Sequence, residues 1–148
     1  MALIYNNPDI MKALNYTAYD PENPNESVYD VLFPYIKIDG TVVEAKSYIG
    51  LKIDSYSRCK NDAYKNFILT ITTICNVDVM KTPYGCTRTD LVCGELVKML
   101  AWNDTVGFEL ALVEDVEDIL PTNPKYYYRT VKFKSITTNS QVNGVKQN

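Results

Sequence analysis

The feature that most constrains this fold is a run of alternating residues from Phe67 to Met80. Its odd positions are mostly apolar, and its even positions mix apolar and polar residues: Phe67, Leu69, Ile71, Thr73, Cys75, Val77 and Val79 against Ile68, Thr70, Thr72, Ile74, Asn76, Asp78 and Met80. A period of two residues in a β-branched composition is typical of a strand that buries one face. We therefore predict a strand over 67–80 whose odd-numbered side chains face the core.

The segments on either side of this run predict the rest of the sheet. A further strand is expected over 47–54, joined to the first by a polar, hairpin-like connection over 55–65. Two more strands are expected, one over 108–112 and one over 126–136.

The residues between these two pairs of strands predict a helix. Thr87 or Thr89 can cap it, and it is expected to run to about Trp102. Its apolar residues recur at helical spacing and are expected to form a buried stripe: Leu91, Val92, Leu96, Met99 and Leu100. Its charged residues fall largely outside that stripe: Arg88, Asp90, Glu95 and Lys98.

The N-terminal third contains less regular structure. A short helix is predicted over 7–14, with Asn7 as its cap and Pro8 in the first position. The following segment, 15–46, is expected to be a long arm or loop, with one helical turn over 28–32 capped by Ser27. The order α-β-β-α-β-β then predicts an α+β fold with a mainly antiparallel four-stranded sheet and a packed helix.

Length and composition suit one domain. The chain has 148 residues, of which 46% are hydrophobic and 22% charged, enough for one core. We expect a single domain over 1–137 and a mobile tail over 138–148. No apolar run approaches the roughly 20 residues of a membrane-spanning helix, and the first residues do not resemble a signal peptide. We therefore expect a protein made in the cytoplasm, with no membrane partner.

Charge and residue types narrow the function classes. A net charge of −3 does not suit a sequence-specific nucleic-acid binder, which gains most affinity from basic residues. The chain has no histidine, no C-x-x-C pair and no glycine-rich phosphate loop. Catalysis by a Ser-His-Asp triad or a Cys-His pair is therefore excluded, and no catalytic, cofactor-binding or metal-binding residues are expected. Cys75 and Cys93 occupy apolar positions and are expected to be buried thiols.

Acidic and basic residues are separated along the C-terminal half. The span 103–120 carries six acidic and no basic residues, and four basic residues follow it: Lys125, Arg129, Lys132 and Lys134. If the two strands are neighbours, the opposed charges could pair within one subunit or join subunits head to tail around a ring. The sequence leaves both interpretations open.

Several elements together resemble a known family. They are the N-terminal helix with Asn7-Pro8, the irregular segment ending in Leu32-Phe33-Pro34-Tyr35, Tyr48-Ile49-Gly50-Leu51, the run 67–80, and Gly85-Cys86-Thr87-Arg88-Thr89-Asp90 at the start of the helix. Their order resembles the tail terminator, or tail completion, proteins of long-tailed bacteriophages. The resemblance implies a structural protein of the virion tail or neck, without catalytic residues or cofactor. It also implies a ring, commonly a hexamer, whose partners are the tail tube protein and a head-completion or connector protein.

A ring subunit needs contacts with its neighbours, and the 15–46 arm, the 55–65 connection and the charged strands are the candidates. The residues that we expect at a subunit or tube interface are Tyr56, Arg58, Lys60, Tyr64, Glu114, Asp115, Lys125 and Arg129.

Three other functions remain open at this level. One is a head-closure or head–tail joining protein of the neck. Another is a nuclease that holds a metal through carboxylates, for which Asp78, Asp90 and Glu95 are the candidates. The last is a small module that binds one host protein.

Overall fold

The structure is a computed structural model, and it describes residues 1–36, 45–58, 64–101, 110–119 and 124–138. Its helices are α1 (Ala2–Tyr5), α2 (Pro8–Ala13) and α3 (Arg88–Leu100), with 3-10 turns at Pro24–Ser27 and Val77–Val79. Its strands are β1 (Leu32–Phe33), β2 (Ser47–Arg58), β3 (Tyr64–Asn76), β4 (Ala111–Ile119) and β5 (Tyr126–Thr138). No helix in these ranges is long and apolar enough to span a membrane.

The strands form one mixed sheet in the order β1-β2-β3-β5-β4. The pair β1–β2 is parallel, and the other three pairs are antiparallel. The predicted α+β class is confirmed, but the sheet has five strands rather than four. The added strand, β1, has two residues, which is too short for any alternation to show in the sequence.

Strand β3 lies at the centre of the sheet, as its alternation requires. Its odd-numbered side chains from Leu69 to Cys75 are buried on the face that carries the helices, while Thr70 and Thr72 are buried on the opposite face. The predicted end at Met80 is wrong. The Asn76 side chain accepts a hydrogen bond from the Asp78 amide at 2.9 Å, and the chain turns there into a 3-10 helix. Such a side-chain bond to the backbone competes with the sheet ladder.

The main core lies between the sheet and α1, α2 and α3. It includes Ile10 and Met11 of α2, Leu96 of α3 and Phe133 of β5. The buried thiols of Cys75 and Cys93 confirm the expectation from sequence. A second, smaller apolar cluster covers part of the other face of the sheet: Phe33, Tyr48, Ile74 and Tyr126.

Helix α2 begins where the sequence predicts. The Asn7 side chain accepts hydrogen bonds from the amides of Asp9 at 3.0 Å and Ile10 at 3.3 Å, and Pro8 occupies the first turn. These bonds satisfy amides that a helix start leaves without partners. Helix α1, which the sequence analysis does not predict, precedes it.

The 15–46 segment departs from expectation at its centre. The helical turn lies at Pro24–Ser27 rather than over 28–32, and the Ser27 hydroxyl donates to the Pro24 carbonyl at 2.6 Å instead of capping a later turn. Tyr29 takes a left-handed conformation with φ of 69°, which ends the helical path. Residues 31–33 then enter the core, so this part of the segment is not a free arm. Residues 37–44 lie outside the described ranges.

The two hairpins also differ in length from the prediction. Strands β2 and β3 extend to Arg58 and from Tyr64, so the connection is shorter than 55–65. Strand β4 runs over Ala111–Ile119 and contains the acidic run, whereas the prediction ended that strand at Leu112. Phe108 lies outside the described ranges, as do 139–148 of the predicted tail. Strand β5 agrees with the prediction apart from two added residues.

Helix α3 starts with the predicted cap. The Thr87 side chain accepts a bond from the Asp90 amide at 3.1 Å, and the Asp90 carboxylate accepts one from the Thr87 amide at 3.2 Å. This reciprocal pair is a capping box. The predicted end near Trp102 lies outside the described residues.

Arg88 corrects the expectation that the charged residues of α3 lie outside its buried side. It is 9% exposed, and its guanidinium donates to the carbonyls of Val79 at 2.6 Å, Ala13 at 2.8 Å and Lys81 at 3.4 Å. The Ala13 carbonyl lies at the C-terminal end of α2, where helices leave carbonyls without partners. Arg88 therefore joins α2, the turn after β3 and the start of α3.

This geometry predicts that Arg88→Lys destabilises the fold by about 2 kcal/mol. One ammonium cannot replace a planar fork that reaches three separated carbonyls. Urea denaturation measures the loss, with Lys12→Arg, the reverse exchange at an exposed site, as the control. A variant R88K as stable as the wild type would show that the three bonds contribute little.

Ser135 offers a second stability test. Ser135 is 1% exposed. Among the described residues, its hydroxyl is the one buried polar side-chain group that has no hydrogen-bond partner. Removing an unsatisfied buried hydroxyl relieves a desolvation cost, so Ser135→Ala is expected to leave stability unchanged or raise it by up to about 1 kcal/mol.

The matched control is Ser27→Ala, because Ser27 is equally buried but bonded to Pro24. We expect this control to lose about 1 kcal/mol in the same urea experiment. Equal losses in both variants would contradict the assignment.

Candidate assembly surface

Strand β4 is the most exposed element of the sheet. It forms one edge, and all nine of its residues are exposed. Four of them carry large apolar side chains: Leu112 (41% exposed), Val113 (54%), Val116 (46%) and Ile119 (45%). A long, exposed edge strand with apolar side chains is a template for contact with another chain. We call the strand from Ala111 to Ile119 the β4 edge.

None of the side chains of the β4 edge is buried. The strand is therefore held in place by its backbone hydrogen bonds with β5 and by contacts between polar side chains. Arg129 of β5 donates two hydrogen bonds to the Asp115 carboxylate, from Nε at 2.7 Å and from Nη2 at 2.8 Å. Its third nitrogen, Nη1, pairs with Asp90 in the first turn of α3. One guanidinium thus joins the edge strand, its neighbour and the helix.

Two further contacts support the same strand. Lys132 donates to both carboxylate oxygens of Glu114 at 2.9 Å, on the opposite face from Arg129. The hydroxyl of Thr89, which is fully buried, donates to Glu117 at 2.7 Å. The acidic and basic regions noted in the sequence therefore pair within one subunit, which is the first of the two interpretations left open.

The Arg129–Asp115 contact shifts the pKa of both groups. The hydrogen bonds from Arg129 lower the pKa of Asp115 below its ordinary value, although burial acts in the opposite direction. The same contact raises the pKa of Arg129. Both shifts favour the charged forms, so the ion pair is present at neutral pH.

The structure places the predicted interface residues in two regions. Glu114 and Asp115 lie on the β4 edge and Arg129 beside it, while Lys125 is an exposed residue just before β5 whose carbonyl accepts a bond from Val77. Tyr56, Arg58 and Tyr64 lie in the paired ends of β2 and β3, and Lys60 lies outside the described residues. No contact in the structure tests their role in assembly.

A groove lies beside the C-terminal half of the β4 edge. Its volume is about 540 Å³, and Val77, Met80, Thr87, Glu117, Asp118, Ile119 and Tyr127 line it. The sequence analysis missed this groove, because its lining comes from three separate segments. Residues 116–119 run apolar, acidic, acidic, apolar, so they give no period-2 signal for a strand there.

Two of the three carboxylates considered for a nuclease form other contacts, and the third, Asp78, lies in the 3-10 turn after β3. Asp90 caps α3 and pairs with Arg129, and Glu95 pairs with Lys98 at 2.6 Å. Within the described ranges, no group of three or more acidic or cysteine side chains is arranged to hold a metal ion. Burial raises the pKa of the Cys93 thiol to about 11, so it is not a ready nucleophile.

The family comparison covers most of the chain. The YomW family model matches residues 7–135, from the cap of α2 into β5. The chain belongs to the YomW family.

The other comparisons add little to this family assignment. No curated protein matches its sequence. Among solved structures, it is similar to a chain of "Virion of native gene transfer agent (GTA) particle", with a TM-score of 0.49 and 11% identity. The alignment covers 89% of this chain and 93% of that chain. Similarity at this level establishes neither a shared fold nor a shared role.

The low pKa of Asp115 predicts a pH-dependent contribution to stability. Its folded value lies below its unfolded value, so the carboxylate stabilises the fold at neutral pH and loses this effect as pH falls through the folded pKa. We expect Asp115→Asn to cost about 1 kcal/mol near neutral pH, and the difference from wild type to shrink below about pH 4.

Urea denaturation across this pH range measures the difference. Asp54→Asn is the control, because its pair with Lys52 is more exposed and is expected to contribute little at any pH. A constant cost of Asp115→Asn down to the lowest pH would contradict the assigned ion pair.

Proposed function

We propose that the protein is a structural component of a bacteriophage virion and acts as a tail terminator. In this role its subunits close into a ring, with six as the expected number, on the last ring of the tail tube. The ring stops tube growth and presents a surface to the head-completion or connector protein. The protein would be made in the host cytoplasm and then reside at the tail or neck.

The observation that carries this proposal is the β4 edge. A sheet edge of nine exposed residues with four large apolar side chains is a template for contact with another chain, and long apolar edges of this kind are usually covered. Cross-strand ion pairs and the link to α3 fix the edge in one position, as a repeated contact in a ring requires. An interaction surface on a rigid sheet suits assembly better than catalysis.

The order of elements gives a second line of support. The capped α2, the long central strand and the Gly85–Asp90 segment that starts α3 are three of the five features on which the resemblance to tail terminators rests. In the structure, Thr87, Arg88 and Asp90 of that segment fix the helix start and its connection to α2 and β5. The segment therefore builds the body of the subunit, and contacts with partners fall to the edges and hairpins.

The β2–β3 hairpin is the second proposed contact. Tyr56, Arg58 and Tyr64 lie in its strands, and Lys60 lies in its connection. Strands of 12 and 13 residues give this hairpin the length to reach a neighbouring subunit or the tube. We propose that these residues contact the tube, and that Glu114, Asp115, Lys125 and Arg129 lie near the contact between subunits.

Native mass spectrometry and electron microscopy together test this role. The purified protein, mixed with tail tubes of its own phage, is expected to form a closed ring on one end of each tube and to stop further growth. Lys60→Glu is expected to weaken capping at least about tenfold. The matched control Lys12→Glu, the same charge change on α2, should cap normally.

Other outcomes would redirect the assignment. Binding to filled heads without binding to tubes would contradict the terminator role and favour a head–tail joining protein. A protein that stays monomeric and binds neither particle would overturn the virion role, and a tight one-to-one complex with a host protein would replace it.

A further inference from the structure

The β4 edge has an open side that the fold leaves unused. Among the described residues it pairs with β5 and with no other strand. A strand paired on one side presents alternate amides and carbonyls on the other, and an extended peptide can bind them as an added strand. The bulge between Leu112 and Glu114 interrupts the regular ladder at one end, so the regular part runs from Glu114 to Ile119.

Charge argues against a second copy of β4 as the occupant. Antiparallel self-pairing centred on Val116 would set Asp115 opposite Glu117 and Glu114 opposite Asp118. A shift of one residue in either direction still sets a carboxylate opposite a carboxylate. Like charges directly opposite one another destabilise a pair of strands, so this edge resists pairing with itself.

The same charges favour a basic occupant. Lys132 and Arg129 neutralise Glu114 and Asp115. Glu117 and Asp118 have no ion-pair partner among the described residues, although Glu117 accepts a bond from the Thr89 hydroxyl. Two uncompensated carboxylates therefore lie at the C-terminal end of the strand, where an added strand would bring its own side chains.

The groove beside Ile119 supplies a place for an apolar anchor. Its walls include Met80 and Tyr127, and two of its lining residues, Val77 and Ile119, are 44% and 45% exposed. Glu117 and Asp118 belong to the same lining. An apolar side chain next to a lysine or arginine would match both parts of this surface, because burial holds the first and the carboxylates attract the second.

We propose that the β4 edge, from Glu114 to Ile119, accepts an extended basic segment of another protein as a sixth strand, with one apolar side chain of that segment in the groove beside Ile119. The Ile119 amide already donates to the Asp118 carboxylate at 2.7 Å, so the added ladder ends near Asp118. The proposal concerns the chemistry of the occupant and does not require a ring or a tail tube.

Titration of the isotope-labelled protein with synthetic peptides tests this inference by NMR. The probe is a six-residue peptide that alternates lysine with valine or leucine. A second peptide has glutamate in place of lysine, and a third has the basic sequence with methylated backbone nitrogens. The basic peptide is expected to shift the amide signals of Glu114–Ile119 and of the groove, and both other peptides are expected to bind at least about tenfold more weakly.

Two variants locate the anchor. Ile119→Ser should weaken the basic peptide about tenfold, whereas Leu112→Ser, an equally exposed position on the other side of the bulge, should leave it unchanged. The proposal is overturned if no peptide shifts these signals at about 1 mM. Equal binding of the methylated peptide, equal effects of the two variants, or a dimer of the free protein through β4 would overturn it too.

Discussion

The contact between Arg129 and two carboxylates is the interaction on which the exposed half of this molecule depends. Strand β4 buries no side chain, so hydrophobic burial does not hold it against the sheet. The ladder with β5 supplies the backbone bonds, and Arg129 adds a two-bond grip on Asp115 and a contact to Asp90 of α3. Since Asp90 also caps α3, the edge strand and the helix share one charged group, and the position of one is linked to the other.

The buried half of the molecule uses a second arginine in a different way. Arg88 has no carboxylate among its described contacts, and it donates to three backbone carbonyls instead. A buried guanidinium is costly unless its donors are satisfied, and the carbonyl at the end of α2 is costly for the same reason. Each group satisfies the other, and the short helix α2 is thereby fixed against α3. Arg88 thus stabilises the contacts of the core, and Arg129 stabilises the position of the edge strand.

The sequence could predict the elements whose signals are local. The alternation in β3, the Asn7 cap of α2 and the Thr87 cap of α3 each depend on neighbouring residues, and the structure contains all three. Strand β1 pairs with residues 17 positions away, and Arg88 donates to a carbonyl 75 positions away. No local pattern shows either contact. The predicted strand stops at Leu112, before the acidic run, whereas β4 contains that run. Aspartate and glutamate are depleted in strands. An edge strand tolerates them, and their charge discourages self-pairing.

The sequence predicts one part of the candidate surface and misses another. Glu114, Asp115 and Arg129 were found from charge segregation alone, and the structure shows that they pair with one another or with Lys132 inside the subunit. The groove beside Ile119 could not be found in the same way, since its lining comes from the turn after β3 and from both C-terminal strands. The edge and its groove are the features on which the proposed role in assembly depends.

Hydrogen exchange measured by mass spectrometry tests the assembly account most directly. The amides of β4 are compared between the free protein and the protein within its virion or capped tubes. The account predicts that β4 exchanges faster than β3 in the free protein, and that assembly strongly protects β4 while β3 changes little. Equal exchange of β4 in the free and assembled states would contradict the claim that this edge is where the subunit meets its partners.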